Sequence, residues 1–331
     1  MKTTLSAQSL RGGLTTGAHA ALAFAKALEG LDATGTCCRV STHKMDNDDL
    51  DVTRGCEIVV TLSHRKRDLT LNPIAHTPYT IDALELYAGA GVGIVTREGL
   101  KPPAGFPAIN PAPLEAMHEI YLRRGSAQTA RRIYGTVAVT DGERIARQTA
   151  NAKVGVMGGI SILGTTGWVK PISNTAYLDS IATEIGFAKA NGYETVVLTL
   201  GNRALAYAKA HYEAAQIIEA GNFVYDAIAI AQREEIGRVH FVASIAKGVK
   251  VMQGHRNTHN RFGTIDMEAL GAQIHIHLGR EIDTDATPTV RGIVEQLDAQ
   301  RKPFYAMVQR AVNRQIQTWF PDLAVETTLV R

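Results

Sequence analysis

Cysteine is scarce in this sequence of 331 residues, and the thiols present form no recognisable pattern. Of the 3 cysteines, Cys37 and Cys38 are adjacent and Cys56 stands apart. Three thiols cannot build a disulfide framework, and no pair has the spacing of zinc ligands. This usage is typical of a reducing compartment, so we expect a cytoplasmic protein.

A strong excess of one charge and long apolar runs are also lacking. Lys and Arg number 35 against 32 Asp and Glu, which leaves a net charge of +3, and the nearest approach to a basic run is the triplet at residues 65–67. No stretch reaches the roughly 18 apolar residues that cross a bilayer, and residues 1–13 lack the apolar core of a signal peptide. We therefore expect a soluble, unexported chain that binds neither nucleic acid nor membrane.

The common catalytic signatures are missing too. The sequence has no Gly-x-Ser-x-Gly elbow, no His-Glu-x-x-His pair, no kinase set and no Gly-x-Gly-x-x-Gly fingerprint. It also lacks the Gly-Lys-Ser/Thr of a P-loop, which argues against a kinase or another nucleotide-phosphate binder. A group-transfer enzyme that works mainly by positioning its reactants stays open.

What the sequence does contain is enough apolar residues, 45%, for two domains that each bury a core, and 30 glycines. Many glycines stand at strand-to-helix junctions, which is typical of α/β proteins. The pattern predicts an α+β domain over residues 1–150 and, over residues 151–331, an α/β domain with a parallel sheet, because strands and helices alternate there. Ligands of such sheets bind at the carboxyl ends of the strands.

Local patterns predict several elements within these domains. Residues 18–28 read as an apolar helix, and Asp141 and Gly142 as the turn of a hairpin between residues 137–140 and 144–149. In the second domain, residues 195–200 and 239–245 read as buried strands.

Two segments combine glycines with hydroxyl groups. Thr15, Thr16 and Gly17 precede the first helix, where they fit either an ordinary helix cap or a site for an anionic group at the free amides. Residues 158–167, GGISILGTTG, carry four glycines that allow positive φ and close backbone approach. A ligand loop explains the second segment better than a purely structural role.

Three further groups of polar residues are candidates for chemistry. A predicted strand is followed by Gly201, Asn202 and Arg203, which suit either a ligand or a helix cap. The first acidic residue after this strand is Glu213, so the ribose-binding carboxylate usual for NAD is absent from its expected place. Four carboxylates crowd residues 46–51, which suits a solvated turn or contact with a cation or sulfonium. The histidines at 255, 259, 275 and 277 have no obvious acidic or thiol co-ligand, so we expect no metal site.

Several of these segments together resemble one family, the cobalt-precorrin-5B C1-methyltransferases of anaerobic cobalamin biosynthesis. The matching motifs occur in the family's order over roughly residues 10–270. They are LRGGLTTG at 10–17, DDLDVTRG at 48–55, GVGIVT at 91–96, PAINP at 107–111, GGISILGTTG at 158–167 and NTH at 257–259.

The resemblance implies transfer of a methyl group from S-adenosylmethionine to C1 of cobalt-precorrin-5B, which yields cobalt-precorrin-6A and S-adenosylhomocysteine. It implies a small-molecule tetrapyrrole substrate, with cobalt only as part of that substrate. It also implies a domain related to a ribosomal-protein S5-type fold beside a small parallel α/β domain. A homo-oligomer and transient contact with neighbouring pathway enzymes are compatible with such a role.

Under this resemblance each candidate residue receives a role. We expect the macrocycle in the cleft between the domains, with Asp48 or Asp51 facing the sulfonium or a ring nitrogen and His259 contacting substrate or moving a proton. The donor-binding set is Gly158, Gly159, Ser161, Gly164, Thr165, Thr166, Gly167, Gly201 and Asn202. The substrate-binding set is Thr15, Thr16, Gly17, Arg203, Arg256 and Thr258, whose amides and guanidinium groups suit an acidic ring.

The sequence departs from the family pattern beside these motifs, at Leu50, His19, Trp168 and Asn260 among others. These positions flank the motifs, so they bear on substrate detail more than on reaction class. Two alternatives therefore stay open: a methyltransferase acting on a related corrinoid, and a non-catalytic protein that carries a corrinoid intermediate to the next enzyme.

Overall fold

A computed structural model describes residues 13–44, 52–123, 131–164, 167–169, 174–284, 286 and 288–330. Its contacts divide the chain into two compact units, Met1–Asn174 (unit 1) and Thr175–Arg331 (unit 2). The predicted boundary after residue 150 differs from this division. The reason is that the strands at Val156–Met157 and Gly159–Ile160 pair with strands of unit 1.

Unit 1 is a mixed α and β structure. Its helices are α1 (Thr16–Thr34), α2 (Pro111–Leu122) and α3 (Gly142–Ala146). Its strands, in chain order, are β1 (Gly13–Leu14), β2 (Cys38–His43), β3 (Glu57–Ser63), β4 (Tyr79–Ile81), β5 (Leu84–Ala88), β6 (Gly91–Val92), β7 (Ile94–Val95), β8 (Ile133–Val139), β9 (Val156–Met157), β10 (Gly159–Ile160) and β11 (Trp168–Val169).

The main sheet of unit 1 has the strand order β2-β3-β8-β5-β4, in which only the β5 and β8 pair is parallel. Helix α1 packs on this sheet through a buried alanine-rich face that includes Ala20, Phe24, Ala27 and Leu31. Three short strand pairs, β1 with β11, β6 with β10 and β7 with β9, join the later part of the unit to the earlier part. The likeness to an S5-type domain stays a prediction.

One local prediction in unit 1 is wrong. The segment after β8 does not return as a hairpin strand, because Asp141 has φ 58° and leads directly into the short helix α3. Gly142 lies so close to the backbone of Gly91 that any side chain at position 142 would collide with it. No local sequence pattern predicts this contact, and the chain continues from it as helix α3.

Unit 2 contains a parallel sheet surrounded by helices. Its strands are β12 (Thr195–Leu200), β13 (Ile217–Glu219), β14 (Arg238–Ser244) and β15 (Ala324–Val330). Its helices are α4 (Asn174–Ala190), α5 (Asn202–His211), α6 (Val224–Arg233), α7 (Ile245–Met252), α8 (Met267–Leu278), α9 (Val290–Gln296) and α10 (Arg301–Trp319).

The order β13-β12-β14-β15, with every pair parallel, confirms the predicted parallel sheet. Strands β12 and β14 are buried along almost their whole length, as β-branched runs at the centre of such a sheet should be. The chain leaves β12 toward β13 on one side and reaches β14 on the other. The switch point of the topology therefore lies between β12 and β14, where open α/β sheets bind ligands at the carboxyl ends.

Among the described residues, no helix combines the length and the apolar character that a membrane span requires.

Candidate functional site

The predicted turn before α1 is bonded directly to the glycine-rich segment of unit 1. Thr16 Oγ1 accepts from the Leu163 amide at 2.9 Å and lies 3.2 Å from the Leu163 carbonyl oxygen, to which it donates. The Gly17 amide donates to the same carbonyl at 2.8 Å, and the Thr15 amide donates to the Gly167 carbonyl at 3.1 Å. We call Thr15–Gly17 together with Leu163 and Gly164 the hydroxyl bend.

Three amides of the hydroxyl bend, those of Thr15, Gly17 and Leu163, already have acceptors within the protein. Besides these bonds, the Ala18 amide donates to Thr15 Oγ1 at 3.1 Å, so Thr15 is an ordinary N-cap. Binding of substrate carboxylates by the amides of Thr15 and Gly17, as the sequence predicts, would require these bonds to be replaced. The two turns also lie in the same unit rather than in separate folding units.

The glycines of the hydroxyl bend make room for other parts of unit 1. A Cβ on Gly17 would collide with the Pro113 ring and would lie 2.9 Å from the Leu163 carbonyl oxygen. A Cβ on Gly164 would lie against the Thr15 side chain, 3.1 Å from its Cβ. These glycines therefore allow two segments to pack closely, which explains their presence without a ligand.

The remaining described residues of the glycine-rich segment are similarly engaged. Gly158 has φ +77°, and its carbonyl accepts from Asn72 Nδ2 at 3.1 Å. Gly159 packs against the backbone of Gly91, and Ser161 Oγ donates to Asn151 Oδ1 at 3.0 Å. Gly167 differs, since among the described residues a Cβ there would meet only Ala18, at 4.0 Å. Asp48, Asp51, Thr165 and Thr166 lie outside the described residues.

In unit 2, Gly201 stands at the carboxyl end of β12 with an unusual backbone. Its φ of 97° and ψ of 168° lie in a region that is essentially restricted to glycine. Packing does not require this glycine, because among the described residues a Cβ at position 201 would meet only Lys247 Nζ, at 3.6 Å. Asn202 and Arg203 follow at the exposed start of α5. A Gly-only conformation at an exposed position suits close approach of a ligand to the backbone.

Lys247 links the segment that follows β14 to the segment that follows β13. It lies in α7, directly after β14, and its half-buried ammonium donates to the Gly221 carbonyl at 3.2 Å, just beyond β13. Burial, followed by repulsion from Lys250, lowers the pKa of Lys247. We call residues 201–203, residues 219–222 and residues 244–247 the sheet edge, since they follow or end β12, β13 and β14.

Glu219 is the acidic residue of the sheet edge. It is the last residue of β13, it is exposed, and its backbone oxygen accepts from Tyr177 Oη at 2.7 Å. Tyr177 packs against Phe223 with ring centroids 5.4 Å apart. The sequence prediction that this sheet lacks an acid in the ribose-binding position is wrong, because Glu213 precedes β13 whereas Glu219 ends it.

Lys250 holds the loop that carries the NTH motif. It is 6% exposed, and its ammonium donates to Thr258 O at 3.0 Å, Asn260 Oδ1 at 2.7 Å and Gly263 O at 3.0 Å. Burial lowers the pKa of Lys250. Three oxygens around one cation fix the course of residues 258–263.

The NTH loop is also tied to the sheet edge. Thr258 is 4% exposed, and its amide and hydroxyl donate to Asn222 O at 3.0 Å and to Asn222 Oδ1 at 2.9 Å. The Arg256 guanidinium lies 4.2 Å from the centre of the Tyr225 ring. Thr258 thus serves mainly to hold the loop, whereas Arg256 is exposed beside it.

His259 is exposed at the start of a 3₁₀ turn, Asn260–Phe262. Its Nδ1 accepts from the Arg261 amide at 3.1 Å, so the neutral ring carries its proton on Nε2. Within the described part of the chain, no three His, Cys, Asp or Glu side chains come together as a metal site.

Sequence reasoning missed Lys247, Lys250 and Glu219. The two lysines stand three positions apart immediately after a buried strand, and this spacing puts them on the same side of a helix that begins at the sheet edge. That signal was available in the sequence. The position of Glu219 was not, because β13 is only three residues long and has no clear pattern.

Comparison with known proteins identifies relatives along most of the chain. The model of the CbiD family matches residues 27–171. A cobalt-precorrin-5B C(1)-methyltransferase of Methanocaldococcus jannaschii is 30% identical over 302 residues, which cover 88% of this chain and 79% of the relative. A protein of the same name from a Geobacillus species is 36% identical, with 74% and 65% covered.

A solved structure also matches part of this chain. It is the crystal structure of a cobalamin biosynthesis protein (cbiD) from Archaeoglobus fulgidus, which is 24% identical, covers 75% of this chain and 81% of its own, and has a TM-score of 0.36. With 30% identity to a relative of which it covers 79%, this chain belongs to the family of the cobalt-precorrin-5B C(1)-methyltransferases.

Proposed function

We propose that this chain transfers a methyl group from S-adenosylmethionine to ring carbon C1 of cobalt-precorrin-5B, giving cobalt-precorrin-6A and S-adenosylhomocysteine. The observation that carries the proposal is the likeness to a cobalt-precorrin-5B C(1)-methyltransferase over 88% of this chain. Cobalt takes part only as a component of the tetrapyrrole.

The sheet edge suits the donor better than the hydroxyl bend does. Gly201 has a glycine-only backbone at an exposed position, and Asn202 beside it offers both a hydrogen-bond donor and an acceptor. By contrast, other segments of unit 1 occupy the space that a side chain would need at Gly17, Gly159 and Gly164. We therefore assign the adenosyl donor to Gly201 and Asn202.

Glu219 extends this assignment to the sugar of the donor. An acidic residue at the end of the strand next to the glycine-bearing strand is the group that binds ribose hydroxyls in nucleotide-binding α/β folds. Glu219 occupies that position, and β13 is hydrogen-bonded directly to β12. The exposed carboxylate has free acceptor capacity for two vicinal hydroxyl groups.

The chemistry needs no nucleophilic side chain from the protein. The donor supplies a methyl group on a positively charged sulfur, which keeps the electron pair of the breaking bond. The macrocycle supplies the electron pair of the new carbon–carbon bond at C1 and loses a proton, which carries away the positive charge. The protein's part is to align the two reactants and exclude water, and good alignment contributes about 7 to 11 kcal/mol in favourable cases. Exposed Arg203 and Arg256 are suited to hold carboxylates of the substrate.

The decisive experiment is anaerobic incubation with enzymatically made cobalt-precorrin-5B and methyl-labelled donor. We expect one labelled methyl group at C1, determined by mass and label position. Binding of substrate and S-adenosylhomocysteine without any transfer would contradict the proposal, and binding of substrate alone would favour a carrier.

A variant of Glu219 tests the donor assignment separately. Glu219→Gln should weaken binding of S-adenosylhomocysteine about tenfold, as expected for loss of charge-assisted hydrogen bonds. Glu213→Gln is the matched control, since Glu213 bonds Tyr193 before β13 begins. Equal affinities for both variants, measured by calorimetry, would contradict the ribose assignment. His259→Ala should lower turnover if the imidazole meets the substrate.

A further inference from the structure

A pair of ammonium groups near the sheet edge has uncharged partners. Lys247 donates to the Gly221 carbonyl, and Lys250 donates to two carbonyls and one amide oxygen. Within the described part of the chain, no ion pair involves either lysine. Burial, followed by repulsion from Lys250, lowers the pKa of Lys247, and among the described residues no carboxylate counteracts this shift.

The two lysines differ in what they can still bind. Lys250 is buried and uses three acceptors, which matches the three protons of an ammonium group. Lys247 is only half-buried and uses one acceptor among the described residues. It therefore has donor capacity left, and its ammonium would lie 3.6 Å from a Cβ placed on Gly201.

The position of Lys247 is that of a ligand-binding group. Its ammonium lies between Gly201 at the end of β12 and Gly221 beyond β13, while its own helix follows β14. The carboxyl ends of β12 and β14 flank the switch point of the sheet, where α/β proteins hold their ligands, and β13 lies beside β12. A desolvated cation there gains most from a negatively charged partner.

We propose that Lys247 binds a carboxylate of a ligand at the sheet edge and so fixes where that ligand lies relative to Gly201. The inference rests on the proposed function, which offers two sources of the carboxylate: the amino-acid end of the donor and the acidic rim of the tetrapyrrole. Both present the same anionic group to the ammonium, and binding experiments separate them.

The test uses the full chain and two pairs of probes that differ in carboxylates. S-adenosylhomocysteine carries an amino-acid carboxylate that 5′-methylthioadenosine lacks. An octacarboxylate porphyrin such as uroporphyrin carries the carboxylates that etioporphyrin lacks. Affinities are measured by calorimetry for the wild type, Lys247→Met, Lys247→Arg and the control Lys189→Met, whose ammonium pairs with Glu235 on the surface at 2.8 Å.

We expect Lys247→Met to bind one carboxylate probe at least tenfold more weakly than the wild type does, and to bind the matching carboxylate-free probe with unchanged affinity. Lys247→Arg, which keeps a positive charge, should lose less affinity for the carboxylate probe. Loss for S-adenosylhomocysteine assigns the carboxylate to the donor, and loss for uroporphyrin assigns it to the substrate. An unchanged thermal midpoint shows that the variant is folded.

Unchanged affinity of Lys247→Met for both carboxylate probes would overturn the inference, as would a wild type that binds neither probe. An equal loss for the probes with and without carboxylates would also overturn it, because the lysine would then act through the fold. Failure of the proposed function is a separate result: carboxylate binding through Lys247 with no methyl transfer to cobalt-precorrin-5B.

Discussion

The hydroxyl bend of unit 1 and the sheet edge of unit 2 use similar residues in opposite ways. Both combine glycine with small polar side chains. In the hydroxyl bend, neighbouring segments occupy the space that a side chain would need at Gly17 and Gly164, and the Gly17 amide donates to the Leu163 carbonyl. At the sheet edge, Gly201 is exposed and nothing closer than Lys247 Nζ, 3.6 Å from a Cβ there, approaches it among the described residues, where Lys247 uses one acceptor.

This difference shows why a glycine-rich motif alone does not define a binding site. A glycine is needed either because another part of the chain lies where a side chain would be, or because the backbone angles admit no other residue. The first reason leaves no room for a ligand, whereas the second leaves the space in front of the backbone open. Variants that disturb each region in turn test this distinction.

The largest effect is expected from Lys250 in unit 2. Lys250→Met keeps the apolar stem but leaves Thr258 O, Asn260 Oδ1 and Gly263 O without their common donor. We expect the free energy of unfolding of unit 2 to fall by about 3 kcal/mol, the upper range for hydrogen bonds to a charged group. Trp319 reports on unit 2 when Trp168 of unit 1 is replaced by Phe. A variant as stable as the Lys189→Met control would contradict this role.

The next largest effect is expected at Gly17. Gly17→Ala places a carbon against Pro113 and Leu163, which costs about 2 kcal/mol of unit 1 stability even after the gain in helix propensity. Gly186→Ala is the matched control, because among the described residues no atom outside the adjacent helix backbone lies within 4 Å of a Cβ there. The change should stabilise α4 by up to about 1 kcal/mol. Urea unfolding followed by Trp168 fluorescence, with Trp319 replaced by Phe, measures the stability of unit 1 in Gly17→Ala. Trp319 fluorescence, with Trp168 replaced by Phe, measures the stability of unit 2 in Gly186→Ala. Equal signs for both variants would refute the packing explanation.

A smaller effect is expected from the hydroxyl of Thr16. Thr16→Val removes both hydrogen bonds to the Leu163 backbone and should lower the stability of unit 1 by about 1 kcal/mol. Thr183→Val is a suitable control, since Thr183 is exposed and bonds only the Asp179 carbonyl of its own helix among the described contacts. We further expect binding of S-adenosylhomocysteine to be unchanged in Thr16→Val, and a tenfold loss would show that the hydroxyl bend serves the donor.

The smallest effect is a loss of stability in mild acid, in both units. Burial lowers the pKa of His240 in unit 2, and burial followed by repulsion from Lys44 lowers the pKa of His19 in unit 1. The unfolded chain then binds a proton more readily than the folded chain does. The contribution of each neutral histidine to the free energy of unfolding is therefore complete above the ordinary histidine pKa of about 6.5, and it declines as the pH falls below that value. His240→Gln should reduce this decline for the Trp319 reporter only. A decline equal to that of the wild type would contradict the assignment.

Much of the fold could be predicted because buried strands and helices leave periodic patterns. The strand at Thr195–Leu200 was predicted with its observed bounds, and the strand predicted at 239–245 is shifted by one residue from Arg238–Ser244. The helix predicted at 18–28 is confirmed and extends over Thr16–Thr34. These elements follow from side-chain burial, which the sequence records directly.

The site was harder to predict because it depends on contacts between distant segments. Nothing in the sequence near Gly17 shows that Leu163 lies against it. Glu219 could be recognised as the acidic residue that ends β13 only when the bounds of that strand were known. The NTH motif drew attention to Thr258, whereas Lys250 fixes its loop from another helix. Long-range pairing of this kind has no local signal.

Hydrogen exchange of the full chain with and without S-adenosylhomocysteine tests the central claim, that the donor binds at the sheet edge, most directly. We predict slower exchange in peptides covering residues 200–206, 219–225 and 244–250, and no change in peptides covering residues 15–19 and 158–164. Protection confined to residues 15–19 and 158–164 would contradict the account.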